Sequence, residues 1–370
     1  MIETMKKLKV IVSGGGTGGH IFPAIAVAKS LEKKVKDIEF LFVGAQDRME
    51  MQKVPEAGYN IEGLWISGFQ RRFSRRNLLF PFKLISSVLK SKRIVRKFKP
   101  DLVIGTGGFA SGPLLYVASK KEIPSVIQEQ NSYPGITNKL LSKYVDKVCV
   151  AYDKMERFFP NDKIVFTGNP IREAILDFQD KREEGKKLFK VDNNKTTILV
   201  IGGSLGSRTI NESIEQKIED FKSNNLNLIW QTGVSYGDRA AGIVKSLNVE
   251  GINSHIFIKE MDKAYAAADI IVSRAGAIAI SELCFVGKPT LLVPSPNVAE
   301  DHQTQNAQSL VNKNSALMVK DVDSRRKLVE ELISLSKNIS LQEELSSNIQ
   351  KIAVTDAAVR IAELSLKLIK

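Results

Sequence analysis

Cysteine and histidine are scarce in this 370-residue chain: two cysteines, Cys149 and Cys284, and three histidines, His20, His255 and His302. The two thiols lie far apart inside apolar runs, which excludes a disulfide framework or a paired-cysteine metal site and leaves them as core filler. Long hydrophobic runs are missing too. Stretches such as 198–201 meet glycine or charge well before the ~20 residues that a membrane span needs. The opening MIETMKKLKVIVSGGG enters a strand pattern with no separate apolar segment and no small-residue cleavage site. No export signal is therefore expected, and residence in the cytoplasm follows. Negative charge is absent from one long stretch. Between 63 and 100 there is no Asp or Glu, while Arg71, Arg72, Arg75, Arg76, Lys83, Lys90, Lys92, Arg93, Arg96, Lys97 and Lys99 crowd it, in a chain of formal net charge +13. Trp65, Phe69, Phe73, Leu78, Leu79, Phe80 and Phe82 are interleaved with the first of these cations. Such a mixture suits an anionic lipid surface, where rings enter the headgroup boundary and cations meet phosphate. Nucleic acid is the competing partner. The plain alternative is a solvated helix over 77–98 whose Leu78, Phe82, Ile85, Leu89 and Val95 point inward.

What is present is an ordinary globular composition, 43% apolar and 26% charged, which gives no support to disorder or a fibrous repeat. The length favours two domains. Apolar, β-branched runs recur at 10–13, 40–44, 61–66, 102–105, 125–128 and 147–151, with helical patterns between them. Nearly continuous apolar strands alternating with helices imply parallel strands covered on both faces. Gly and Pro in FTGNPIR (166–172) interrupt the series, and a charged helical stretch over 180–190 leads to a second one at 197–201, 226–231, 255–258, 270–273, 290–293 and 316–319. The expected fold is α/β, with two Rossmann-like doubly wound parallel-sheet domains over 1–168 and 169–353. A last helix within 354–370 is expected to pack back on the first.

Each domain opens with a strand running straight into glycines, Gly14, Gly15, Gly16, Gly18 and Gly19 in the first and Gly202, Gly203 and Gly206 in the second. A third such turn, GTGGFASGP, follows the strand at 102–105. Glycine at a strand end lets backbone amides approach a phosphate, and the helix that follows adds favourable partial charge. One such turn is explained by tight strand-to-helix packing alone, whereas three point to a phosphorylated ligand. Gly14, Gly16 and Gly19 also fit a dinucleotide fingerprint, but the second strand ends VGAQ, without the acidic residue that would hold a ribose. Asp47, slightly later, is expected to cap the next helix.

Seven motifs then carry a resemblance across nearly the whole chain and in collinear order: GGGTGGH (14–20), GTGGFASGP (105–113), EQNSYPGITNK (129–139), GNPIR (168–172), GGSLGSR (202–208), SRAGAIAISEL (273–283) and DHQTQNA (301–307). Together they resemble the MurG family, GT-B-fold, inverting enzymes that add N-acetylglucosamine from its UDP derivative to the 4-hydroxyl of the muramyl sugar of lipid I, an undecaprenyl-diphosphate-linked muramyl-pentapeptide, giving lipid II for peptidoglycan. The resemblance implies a nucleotide sugar between the domains, held mostly by the second, with the acceptor facing the first. By motif position Ser204 and Arg172 would lie near the diphosphate, Ile258 would pair with uracil through its backbone, Glu282 would hold the ribose and Gln303 the sugar. Thr17, Gly18, Gly19 and Asn131 would complete the pocket, and Gly15, Gly16, Gly107 and Gly108 would line the acceptor diphosphate. The chain departs from the family in carrying Gln128 just before the EQN motif, where many relatives have His, and Phe109 where they have an aromatic hydroxyl.

The transfer needs a base for the acceptor hydroxyl and a counter-charge for departing UDP. His20, directly after the first glycine turn, is the natural base, because an imidazole titrates near neutral pH; Glu129 is the alternative, and a positioning role for His20 stays open. No metal or other cofactor is expected: helix amino termini, Ser204 and Arg172 meet the leaving charge, while Asp321 and Asp323 suit a helix start better than a cation. His255 is expected to be structural and His302 to line the sugar pocket. The surface segment then acquires a use. Trp65, Phe69, Arg71, Arg72, Phe73, Arg75, Arg76, Leu79, Phe80 and Phe82 would dock the enzyme peripherally on the anionic cytoplasmic face of the bacterial inner membrane, where lipid I is anchored, with nucleic acid set aside as a partner. A UDP-N-acetylglucosamine 2-epimerase of the same architecture is the rival reading.

Overall fold

The computed structural model describes residues 7–68, 79–203, 205–298 and 301–369. It divides into two units, 1–171 with 356–370, and 172–355. In the first, β1 (Leu8–Ser13), β2 (Ile38–Ala45), β3 (Ile61–Leu64), β4 (Leu102–Gly105), β5 (Ser125–Glu129), β6 (Lys147–Val150) and β7 (Ile164–Phe166) pair in the order β3-β2-β1-β4-β5-β6-β7. In the second, β8 (Thr196–Ile201), β9 (Leu226–Gln231), β10 (Ile252–His255), β11 (Ile270–Ser273), β12 (Thr290–Leu292) and β13 (Leu317–Met318) pair in the order β10-β9-β8-β11-β12-β13. Every pairing is parallel.

The runs of Val and Ile explain this directly. Successive side chains of a strand point to opposite faces, so a strand buried on both needs an apolar residue at every position. Val10 and Val12 enter one core with Ile21, Val27 and Leu31 of the helix Gly18–Lys34, and Ile11 enters the other with Leu114 and Leu115. In the second unit Ile198 and Val200 lie on one side of the sheet, Leu199 and Ile201 on the other. Each fully buried Val, Ile or Leu contributes about 1.5–3 kcal/mol. The last helix, Ala357–Leu366, returns to the first unit, where Ile361 and Ala362 join the core and Lys34 pairs with Glu363 at 2.7 Å. Cys149 and Cys284 are buried, and burial pushes both thiols up to about 12.

Four expectations are corrected. The third strand of the second unit is Ile252–His255, not 255–258, because Ile252 pairs with Leu228 and Ile256 and Phe257 are exposed. The edge strand β7 was not expected; it lies just ahead of the segment 166–172 expected to break the pattern. Asp47 lies in a left-handed turn (φ 59°) ahead of a helix that starts at Glu50, so it caps nothing. Asp321 does not cap a helix either; its carboxylate pairs with Arg274 at 2.6 Å and accepts from the Thr209 hydroxyl at 3.0 Å.

Candidate active site

In an open parallel sheet, ligands bind at the carboxyl ends of the strands where the strand order reverses. That point lies between β1 and β4 in the first unit and between β8 and β11 in the second. All four of these strands run into glycine-bearing turns: 14–19, 105–112, 202–206 and, in SRAGA, Gly276. In the first unit two of the turns touch. The Gly15 N–H donates to the Gly107 carbonyl at 3.3 Å, and a Cβ on Gly108 (φ 92°) would stand 2.4 Å from the Gly15 oxygen. Only glycine fits there.

His20, in the first turn of the helix Gly18–Lys34, lies beside both turns. Its Nδ1 is 2.8 Å from the Gly15 carbonyl oxygen. A carbonyl only accepts, so Nδ1 carries the proton and Nε2 is the acceptor of the neutral ring. A Cβ on Gly107 would meet Nε2 at 3.0 Å, so a glycine there makes room for the ring. The Thr106 hydroxyl donates to the His20 carbonyl at 2.7 Å, fixing the backbone beneath it. Gly18 and Gly19 lead this helix with no main-chain acceptor for their amides among the described residues, and Thr17 is its extended, exposed N-cap. Gly15 and Gly16 correct the expectation that their amides face a phosphate. Gly15 donates to Gly107, and Gly16 donates at 2.8 Å to Oε2 of Glu50, whose side chain is wholly buried.

Glu129, at the end of β5, is buried and accepts four hydrogen bonds: from the Asn131 N–H and Nδ2 (3.0 and 3.1 Å), the Gly135 N–H (3.1 Å) and Asn138 Nδ2 (2.9 Å). Its carboxylate shapes the loop 129–135 and so positions Asn131. Gln128 is buried behind it, donating to Asn169 Oδ1 at 2.8 Å.

In the second unit Arg172 and Glu282 form a bidentate ion pair, Nε to Oε1 and a terminal nitrogen to Oε2, both 2.6 Å. Burial works against the guanidinium, but Glu282 more than offsets this and holds the Arg172 pKa above its ordinary value. Two of the five N–H groups of Arg172 are spent on Glu282, leaving three for an anion. Glu282 also accepts from the Tyr265 hydroxyl at 3.4 Å, and the tyrosine, buried beside this carboxylate, is held well above its usual range. The Ile258 N–H is occupied by Gln231 Oε1 at 3.0 Å, and Gln231 Nε2 donates to the Gly203 carbonyl at 3.1 Å, tying this segment to the glycine turn. Gln303 accepts from the Ser295 N–H at 2.8 Å, which turns its amide nitrogen the other way. His255 stacks edge-on against Phe189 with ring centroids 5.2 Å apart, and burial lowers its pKa.

Residues 10–150 match the glycosyltransferase family 28 N-terminal domain and residues 197–361 the family 28 C-terminal domain. A relative from Cytophaga hutchinsonii, named UDP-N-acetylglucosamine--N-acetylmuramyl-(pentapeptide) pyrophosphoryl-undecaprenol N-acetylglucosamine transferase, is 53% identical over 364 residues, covering 98% of both chains. The chain belongs to the MurG family. The crystal structure of MurG from Acinetobacter baumannii is 28% identical, with a TM-score of 0.78 over 97% of this chain and 99% of that one. A UDP-N-acetylglucosamine 2-epimerase structure shares the fold alone, at 14% identity and a TM-score of 0.63 over 97% of this chain and 95% of that one.

Some of the expected residues lie outside the described ones: Ser204 of the motifs, and on the surface segment Phe69, Arg71, Arg72, Phe73, Arg75, Arg76 and Leu78. The rest of that segment corrects the solvated-helix alternative. Phe82, Ile85 and Leu89 of the helix Phe80–Phe98 do not point inward but are 66%, 59% and 60% exposed, while Ser87, Ser91, Ile94 and Val95 face the protein. Trp65 and Leu79 are exposed at the same end, and Lys83 Nζ stands 5.6 Å above the Trp65 ring. Phe109, the family departure, packs on Gly68 beside this region. One residue against the glycine turns of each unit went unnoticed in the sequence, Glu50 in the first and Arg274 in the second. The latter lies inside the SRAG motif and clamps Ser207, the Val293 and Pro294 carbonyls and Asp321 behind the second glycine turn. Glu50 has no motif of its own.

Proposed function

We propose that the chain is the inverting transferase that moves N-acetylglucosamine from UDP-N-acetylglucosamine to the muramyl 4-hydroxyl of lipid I, forming lipid II. The substrates are those in the name of the Cytophaga relative, and the chemistry rests on one observation, the 2.8 Å contact of His20 Nδ1 with the Gly15 carbonyl oxygen, which leaves Nε2 as the basic nitrogen. The first unit takes the acceptor and the second the donor. As the acceptor oxygen attacks the anomeric carbon, its proton passes to Nε2 of His20. The bond from that carbon to the diphosphate breaks, and its electron pair leaves with UDP. Glu129, its lone pairs already engaged by four donors, holds the Asn131 loop and leaves the base role to His20. Thr17, Gly18 and Gly19 present a helix amino terminus to the substrates, with Gly107 and Gly108 beside it. Arg172, braced by Glu282, and Ser204 meet the departing diphosphate, while the Ile258 carbonyl, whose N–H is held by Gln231, together with Glu282 and Gln303 takes up the uridine and sugar. No metal is assigned to this work, because main-chain amides and a fixed guanidinium supply the counter-charge.

The exposed rings and leucines beside Lys83, Lys92, Arg93, Arg96 and Lys97 fit peripheral attachment to the anionic cytoplasmic leaflet. Each basic residue near such a surface adds about 1 kcal/mol. Incubation with UDP-N-acetylglucosamine and a lipid I analogue, with a chelator present, should yield a β-linked disaccharide lipid. Sugar isomerisation without acceptor consumption would instead establish the epimerase reading. His20→Gln should lower kcat at least ~100-fold with donor binding retained.

A further inference from the structure

The carbonyl that holds His20 and the N–H that reaches Glu50 belong to one peptide group, the bond between Gly15 and Gly16. On one side Gly16 N–H donates to Glu50 Oε2 at 2.8 Å, and on the other the Gly15 oxygen accepts from His20 Nδ1, also at 2.8 Å. From this geometry we infer that Glu50 is a positioning residue for transfer, acting on His20 through the Gly15–Gly16 peptide. The inference rests on the reading of His20 as the base.

Glu50 stands ready for that role. Its side chain is 0% exposed, and its second oxygen accepts from the Ala45 N–H at 2.9 Å. A main-chain N–H on each oxygen is the pattern of an ionised carboxylate, since a protonated one would need an acceptor for its own hydrogen. A carboxylate drawing on the N–H of a peptide makes the oxygen of that peptide a stronger acceptor, because hydrogen bonds in a chain polarise one another. The Gly15 oxygen then favours a proton on Nδ1, keeps Nε2 open to the acceptor hydroxyl, and steadies the imidazolium once the proton has moved. A carboxylate bonded directly to a histidine does the same in hydrolases; here one peptide unit stands between. The glycines serve this path. A side chain at 108 would cover the Gly15 oxygen, one at 107 would displace the ring, and one at 15 would strike Glu50 at 2.1 Å. The turns against the ring, 14–16 and 106–108, carry no titratable side chain, so Glu50 is the charged group to which this path leads.

The test measures the imidazole nitrogens of His20 by 15N NMR in the full chain, with steady-state kinetics beside it. In the native protein the neutral ring should carry its proton on Nδ1. Glu50→Gln should mix the two tautomers, lower kcat roughly 10- to 100-fold at an unchanged KM for UDP-N-acetylglucosamine, and move the acid limb of the kcat profile to lower pH. That sign follows because losing the negative charge makes the imidazolium easier to deprotonate. A native ring protonated on Nε2 overturns the proposal, and this measurement needs no variant to fold. A Glu50→Gln protein with native tautomer and an unmoved acid limb overturns it equally, and Glu50→Asp, which keeps the charge, should recover part of kcat. Full activity in His20→Gln would instead remove the base reading, while the tautomer in the Glu50 variants would still judge the link.

Discussion

Arg172 and Glu282 are 110 positions apart in sequence and meet through two hydrogen bonds of 2.6 Å. Glu282 is almost fully buried, with a side-chain exposure of 3%, whereas Arg172 keeps 33%, so the pair is shielded on one side and open on the other. Glu282→Gln leaves the guanidinium without its counter-charge. The expected result is a loss of about 1–3 kcal/mol in urea unfolding together with a KM for UDP-N-acetylglucosamine raised roughly tenfold. An unchanged KM would remove the pair from donor binding. The place of a single residue was legible in the sequence where its neighbours are local, as for His20, which lies against its own glycine turn. Glu50 was not, because its meaning comes from Gly16, which lies 34 positions earlier. Nor was the internal use of the Gly15 and Gly16 amides, since a glycine turn looks the same whether its N–H groups face a ligand or a neighbour.

Elements carry a second kind of information, the side on which an apolar stripe faces. In the helix Phe80–Phe98 the stripe of Phe82, Ile85 and Leu89 has the spacing of a core-facing surface, yet the helix packs through Ser87, Ser91, Ile94 and Val95, where small side chains allow close approach. Periodicity identifies such a stripe but not what covers it. Because these side chains are exposed, Phe82→Ser with Leu89→Ser should leave the thermal midpoint nearly unchanged. With about 1.5–3 kcal/mol available from each large apolar side chain fully buried in lipid, binding to anionic vesicles should fall at least tenfold in a co-sedimentation assay. Equal vesicle binding by the double variant and the native chain would show that this face has another purpose. The strands were the most legible elements. Burial on both faces forces continuous Val and Ile runs, and only β7 and β10, at sheet edges, were missed or displaced.

At the scale of the whole molecule the two units differ in their charge pairing. Among the described residues, Glu184, Glu212, Glu215, Asp262 and Glu330 of the second unit are held below the ordinary carboxylate range, the first three and the last by hydrogen-bonded Lys or Arg partners. For Asp262 burial opposes the shift and Lys181 outweighs it. In the first unit Glu363 is lowered, by Lys34. A carboxylate whose folded pKa is depressed lends stability above its unfolded pKa and loses it as pH falls through the folded value. Acidification below about pH 4 should therefore weaken the second unit first. The two tryptophans make this readable, since Trp230 is fully buried in the second unit and Trp65 is 45% exposed in the first. The emission of Trp230 should shift red while far-UV dichroism is still partly native, and simultaneous loss of both signals would refute the ordering. The return of the helix Ala357–Leu366 to the first unit has a consequence for synthesis. The slot filled by Ile361 and Ala362 stays open against Ile21, Val27 and Leu31 until synthesis has passed Ala362. A core laid down early in synthesis thus waits for a helix made after the whole second unit, and a nascent chain carries that unfilled seam as its weak point until then.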